Sequence, residues 1–328
     1  MKVYAVIGSN CFTGSHIVDA LMEDLDNRVI GISRSPEYKD IYLPYKRHAK
    51  NKFQFYQIDI ARHSDELVKI FEEIKPQVII NVAALSEVAL SNERPVEYFE
   101  TNTLGVVKLC NYLRTCSYLE HYVHISSAEI FGSCDKPVTE EALFNPSTPY
   151  AVSKAAADMY LDILLKNYGF PAILIRSTNV YGKHQQLFKI IPRTVIYLKQ
   201  GKIIDLHGGG KSLKNFIHIR DVVQGLLLAL QRGKPGTYHF TVVNNQTIAD
   251  IVRQICFWMG HDFGSSTHVV GERLGQDARY WLDCTKAEGE LGWAPQVPFD
   301  QGVKEVIEWI ESNWAVIQHE PLVYIHKV

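Results

Sequence analysis

The sequence predicts an α/β protein: a Rossmann-type, doubly wound parallel sheet with a smaller, interleaved α/β substrate-binding lobe. Two observations carry this expectation. Short apolar runs alternate with amphipathic helical segments through the first half of the chain, and the first run passes through a glycine turn into a helix, the order that a dinucleotide fold requires. The strand runs, in order, are KVYAVIG, RVIGIS, FQFYQID, QVIINVAA, HYVHISS and AILIRST. Between them, GSHIVDALMEDL and ELVKIFEEI repeat apolar residues three and four apart, as one buried helix face demands. After Asn179 the pattern becomes irregular and rich in Gly, Lys and Gln, before FIHIRDVVQGLLLAL and TYHFTV look like a return to the sheet. Residues 1–176 with 216–241 are therefore expected to form the dinucleotide-binding domain, and 177–215 with 242–328 the substrate lobe.

A chain of 328 residues has ample length for a well-buried core. Its 34 basic and 36 acidic side chains leave a formal net charge of −2, which argues against a nucleic-acid partner. The start, MKVYAVIGS, has one lysine and too short an apolar stretch for a signal peptide, and no later stretch reaches membrane-spanning length. A cytoplasmic protein without a membrane partner is the expectation. Six cysteines, at 11, 110, 116, 134, 256 and 284, lack CxxC or CxxH spacing, so reduced thiols and no metal site are expected.

The segment VIGSNCFTGSHIVDAL puts Gly8, Asn10, Cys11, Phe12, Thr13 and Gly14 at the strand-to-helix turn, where glycines let a pyrophosphate approach and the helix N-terminus offers free N–H groups. Cys11 stands where a GxxGxxG loop has its middle glycine. The second strand ends in Ser33 and Arg34, with no acid from Val29 to Pro36. A hydroxyl and a planar guanidinium there suit the 2′-phosphate of NADP better than the bare ribose of NAD, which is kept as the alternative. Asp59 follows FQFYQI and can accept from an adenine amino group; Ile60 and Ala83 are further candidate cofactor contacts.

PSTPYAVSKAAADMYLDILLKNYG reads as a capped helix with Tyr150 and Lys154 four apart on one face. A phenol with a reference pKa of about 10 needs a nearby cation to act as a base near neutrality, and Lys154 supplies one. Tyr42 and Lys46 repeat the spacing, but Pro44 between them removes the helix that would align the pair.

The glycine turn, VAALSEV, HISSAEIFG, YAVSK, RSTNVYG, FIHIRDV and GERLGQDARYWLD, in this order over nearly the whole chain, resemble the extended short-chain dehydrogenase/reductase family, especially its nucleotide-sugar 4,6-dehydratases. The resemblance implies that Tyr150 removes a sugar hydroxyl proton while hydride leaves carbon 4 for the nicotinamide, that Lys154 holds the cofactor ribose, and that Ser127 hydrogen-bonds the same hydroxyl. It implies that Glu129 removes the carbon 5 proton, whereas Ala128 stands where dehydratases place an acid or a serine. It assigns Ser86, Asn179 and Asn244 to the substrate, with Lys189, Lys214 and Arg273 on a nucleotide diphosphate, and a homodimer formed through helices near 96–115 and 150–167. A 4,6-dehydratase acting on a nucleotide-diphosphate sugar is the leading expectation. A 4-epimerase or 4-keto-sugar reductase of the same family is the alternative, and a nonenzymatic dinucleotide sensor the distant one.

Overall fold

The computed structural model describes residues 1–49, 52–272 and 277–326. Seven strands form one parallel sheet: β1 (Lys2–Ile7), β2 (Asn27–Ser33), β3 (Phe53–Gln57), β4 (Val78–Asn81), β5 (His121–Ile125), β6 (Ala172–Ser177) and β7 (Gly236–Phe240). Their order is β7-β6-β5-β4-β1-β2-β3. The chain reverses its direction of travel across the sheet at β1 and β4, and in such sheets the ligand crevice opens beyond the carboxyl ends of the strands at that point. The expected strand runs all contribute to this sheet, and TYHFTV supplies β7. FIHIRDVVQGLLLAL departs from expectation: Phe216–His218 pairs with the short strand Asn179–Tyr181 outside the sheet, and the rest becomes the helix Ile219–Arg232.

Both faces of the sheet are covered, so its central strands are mostly apolar, with Asn81, His124 and Arg176 as buried polar exceptions. On one face Ile17, Val18 and Leu21 of the helix Phe12–Leu21 meet Val222, Leu226 and Ala229 of the helix Ile219–Arg232. On the other, Phe71, Leu109 and Leu161 come from the helices Ser64–Ile74, Gly105–Leu113 and Pro149–Tyr168. A separate cluster joins Val195, Leu206, Ile251, Val306 and Ile310 from the later, irregular part of the chain. Among the described residues no helix is long and apolar enough to cross a membrane.

Candidate active site

The turn after β1 is packed against its neighbours. Gly8 has φ +88°, and a Cβ there would lie 2.7 Å from the Ala83 nitrogen; a Cβ on Gly14 would lie 2.2 Å from the Gly8 carbonyl oxygen. Only glycine satisfies both positions. Cys11 caps the helix Phe12–Leu21, its sulfur accepting from the Gly14 N–H at 3.2 Å. Burial pushes its thiol up to about 11, so a neutral cap, not a thiolate, faces any phosphate. Phe12 turns into the core, and neither it nor Thr13 lines the cleft; what they offer a phosphate is backbone N–H at the helix start.

A cleft of about 530 Å³ brings Gly8, Asn10, Cys11, Ser33 and Arg34 together with Asp59, Ile60, Ala83 and Ser86. The Asn10 amide donates to the carbonyls of Ser35 at 2.9 Å and Pro36 at 2.8 Å, while its buried Oδ1 has no partner among the described residues. The Ser33 hydroxyl accepts from the Asn10 N–H at 3.1 Å, so it holds the turn, and Arg34 is left as the charged group at the end of β2. Glu37, the first acid beyond β2, receives hydrogen bonds from the Tyr45 hydroxyl and the Lys46 ammonium, both at 2.8 Å. A close-packed glycine turn, a helix N-terminus and an unpartnered buried acceptor fit a dinucleotide.

Beyond β5, Tyr150 and Lys154 project from the helix Pro149–Tyr168, which Thr148 caps and Gly169 ends in the left-handed conformation. Both side chains are buried. The Lys154 ammonium donates to the Ile125 carbonyl at 2.7 Å and lies 3.1 Å from His124 Nε2. Burial brings Lys154 down to about 8 and, with the Lys154 charge, drives His124 well below its usual range, leaving a neutral imidazole to receive the ammonium. Burial also raises the Tyr150 phenol; the Glu129 carboxylate adds to the rise, and a hydrogen bond with Ser127 opposes it.

Ser127 starts the short turn Ala128–Phe131, its hydroxyl accepting from the Glu129 N–H at 3.2 Å. Burial pushes the Glu129 carboxyl up to about 7, against the pull of Lys214 and Lys189, and its Oε2 is buried without a hydrogen-bond partner among the described residues. A carboxylate held in this way is a proton acceptor poised near neutrality. Ala128 is itself buried in an apolar cluster with Ile130, Phe131, Ala155 and Tyr280.

The residues expected on the substrate side divide. Ser86 and Lys189 line the cleft. Asn179 gives its amide to the Asn215 carbonyl at 3.3 Å, and Asn244 clamps the Phe216 backbone through its oxygen at 3.3 Å and its nitrogen at 3.2 Å. Lys214 is buried, donating to the Asp277 carbonyl at 2.9 Å with its ammonium 4.3 Å from the centre of the Tyr280 ring. Its charge therefore acts beside Glu129. Arg273 lies outside the described residues.

Sequence reasoning passed over three features of this site. His124 is the acceptor for Lys154, signalled only by its place two residues before the strand-end serines. Tyr280, in the ARYWLD segment, interacts with both Glu129 and Asp277, and these charges together with burial push its phenol far up. Under the site, Asp158 and Arg176 form a buried ion pair at 2.9 Å that also receives the Ser126 hydroxyl at 2.8 Å. Breaking such a pair by removing one partner costs about 3–5 kcal/mol.

A parallel sheet of this order, with a glycine turn after β1 and a Tyr-x-x-x-Lys helix beside β5, defines the extended short-chain dehydrogenase/reductase class. The chain belongs, more narrowly, to the GDP-mannose 4,6 dehydratase family, whose sequence model matches residues 6–306. It is 30% identical over 322 residues to the dTDP-D-glucose 4,6-dehydratase of Homo sapiens, covering 95% of this chain and 91% of that one. It is 29% identical over 330 residues to the dTDP-glucose 4,6-dehydratase of Haemophilus influenzae, covering 94% and 97%. Among solved structures, the dTDP-glucose 4,6-dehydratase of Bacillus anthracis in complex with NAD superposes with a TM-score of 0.87 at 27% identity, over 95% of this chain and 97% of that one. The dTDP-glucose 4,6-dehydratase of Streptomyces venezuelae with NAD bound gives 0.85 at 28%, over 95% and 98%.

Proposed function

We propose that this chain is a nucleotide-sugar 4,6-dehydratase that oxidises carbon 4, eliminates water across carbons 5 and 6 and reduces carbon 6 within one cycle. Glu129 carries the reading: a 4-epimerase or 4-keto reductase has no need of a buried carboxylate near neutrality beside Ser127 and Tyr150. Membership of the family and the dehydratase relatives support it.

A bound nicotinamide dinucleotide supplies the hydride acceptor and, later in the cycle, the donor. Tyr150 takes the carbon 4 hydroxyl proton as hydride departs, and Ser127 holds that hydroxyl. Burial raises the Tyr150 phenol, and it accepts that proton only as phenolate, so its own proton must pass to solvent before hydride leaves carbon 4. Lys154, anchored on Ile125 and His124, fixes the helix over the end of β5. The new ketone acidifies carbon 5, and Glu129 removes that proton. Ala128 has no proton to give, so Glu129 returns the same proton to the departing 6-hydroxyl: the C–H pair becomes the C5–C6 double bond, the C6–O bond breaks and water leaves, and Glu129, reprotonated from solvent, gives carbon 5 its new proton as carbon 6 is reduced. Lys189, at the cleft wall, is the cation for the nucleotide diphosphate.

On the same reading the cofactor is NADP, because Arg34 is the charged group at the end of β2 while Glu37 is tied to Tyr45 and Lys46. The six unpaired thiols suit the cytoplasm. A homodimer is supported by apolar side chains left exposed on the two helical stretches expected to pair: Val96, Phe99 and Leu104 on one, Met159 and Ile163 on the other. The division into a dinucleotide domain and a substrate lobe keeps the boundaries given above.

Ala128 favours the 4-epimerase as a second reading. Mass spectrometry after incubation with a panel of nucleotide sugars decides: a dehydratase yields a product lighter by one water, an epimerase a product of unchanged mass.

A further inference from the structure

Residues 320–326 cross the mouth of the dinucleotide cleft. Leu322, Tyr324 and His326 are half-buried while Pro321, Val323 and Ile325 between them are exposed, the two-residue alternation of extended chain. One end is fixed by Glu320, whose carboxylate pairs with the Lys39 ammonium and receives the Tyr42 hydroxyl at 3.3 Å. The other is fixed by His326, whose Nε2 lies 2.6 Å from the Glu97 carboxylate. Between them the Tyr324 ring stands edge-on to Phe188, with centroids 5.5 Å apart at 80°, and Leu322 packs on the separate hydrophobic cluster.

Topology gives these anchors their meaning. Lys39 and Tyr42 lie in the connection that follows β2, and Glu97 lies in the short helix Pro95–Phe99 that follows β4. In the sheet, β1 sits between β4 and β2. A segment tied to both flanks lines one cleft with Gly8, Asn10 and Cys11 of the β1 turn. Two strand spacings amount to about 10 Å, and six extended residues reach about 20 Å, enough to make the crossing with slack. The same cleft is lined by Gly8, Arg34 and Asp59 and by Val323, Tyr324 and Ile325. Val323 and Ile325 are 68% and 58% exposed, apolar groups that a ligand in the cleft would cover.

We propose that this segment is the outer wall of the dinucleotide site, a strap that contacts the bound cofactor and must detach before it can exchange. The inference rests on the reading that a nicotinamide dinucleotide occupies the cleft, and it gives that reading a purpose. A reaction that oxidises and then reduces within one cycle consumes no cofactor, and losing the reduced form midway would strand a 4-keto intermediate. Slow exchange prevents that loss.

The test measures dinucleotide dissociation from the full chain by displacement with excess unlabelled cofactor, with no sugar present. Glu320→Gln cuts the anchor on Lys39, Tyr324→Ala removes the contact with Phe188, and Val323→Ser combined with Ile325→Ser alters only the exposed positions, which the fold does not need. Each should speed dissociation by about tenfold or more, the effect appearing in the off-rate. Unchanged dissociation in all three, with wild-type protein holding the cofactor, overturns the strap and leaves the dehydratase reading intact. A wild-type protein that binds neither NAD nor NADP overturns both.

Discussion

Lys154 donates to the Ile125 carbonyl at 2.7 Å, which ties the helix bearing Tyr150 to the end of β5, the strand that leads into Ser127 and Glu129. One buried contact thus joins the two elements that carry the proton-transfer groups. Tyr150→Phe keeps this geometry and removes the proton acceptor. Turnover should fall by about 10²- to 10⁴-fold with dinucleotide binding nearly unchanged, as read by steady-state rate and cofactor titration. Lys154→Ala should weaken both.

Ala128 shares its buried apolar cluster with Phe131 and Tyr280, so a carboxyl placed there is desolvated and protonated readily. If Glu129 alone serves as base and donor, Ala128→Asp relieves it of the second duty. Elimination, followed by decay of the 4-keto intermediate, should speed up by about tenfold, a second donor contributing within the acid–base range. The cost should be a folding stability lower by about 1–3 kcal/mol, the usual burden of a buried polar group.

The pH dependence follows from the Glu129 carboxyl, raised to about 7 by burial. Only its ionised form can accept the carbon 5 proton, so elimination should rise as pH increases through 7 and level off above it. Glu129→Gln should erase that limb. A single-turnover pH profile of elimination checks both.

Arg34 lines the cleft at the end of β2. Arg34→Ala should weaken NADP more than NAD, because only NADP carries the 2′-phosphate that a guanidinium can grip with two hydrogen bonds. Parallel titrations with the two cofactors decide it, and equal losses would assign the site to NAD.

Much of this molecule was legible because its signals are local. The helix Pro149–Tyr168 begins at a Thr cap and ends at a left-handed glycine, both readable from neighbouring residues, and its 3.6-residue period put Tyr150 and Lys154 on one face. The parallel strands announced themselves as short apolar runs, because both faces of the sheet are buried. What local pattern cannot carry is the choice of tertiary partner. The resemblance puts Lys214 on a nucleotide diphosphate, and no local pattern signals that its buried ammonium donates to the Asp277 carbonyl, 63 positions away. Phe216–His218 has the composition of a sheet strand but pairs with Asn179–Tyr181 outside it. Lys39 and Glu320 are 281 positions apart, and nothing near either residue signals that they meet across a cleft.

Glu129 as the carbon 5 base is the centre of the account, and turnover in heavy water tests it most directly. With wild-type enzyme and its nucleotide sugar, the product should be a 4-keto-6-deoxy sugar, lighter by one water and carrying solvent deuterium at carbon 5. Glu129→Gln should still oxidise carbon 4 and accumulate reduced nicotinamide, while elimination falls by about 10²- to 10⁴-fold. A wild-type product of unchanged mass with no deuterium at carbon 5 would contradict the account, and Ala128 would then have marked the chain as an epimerase.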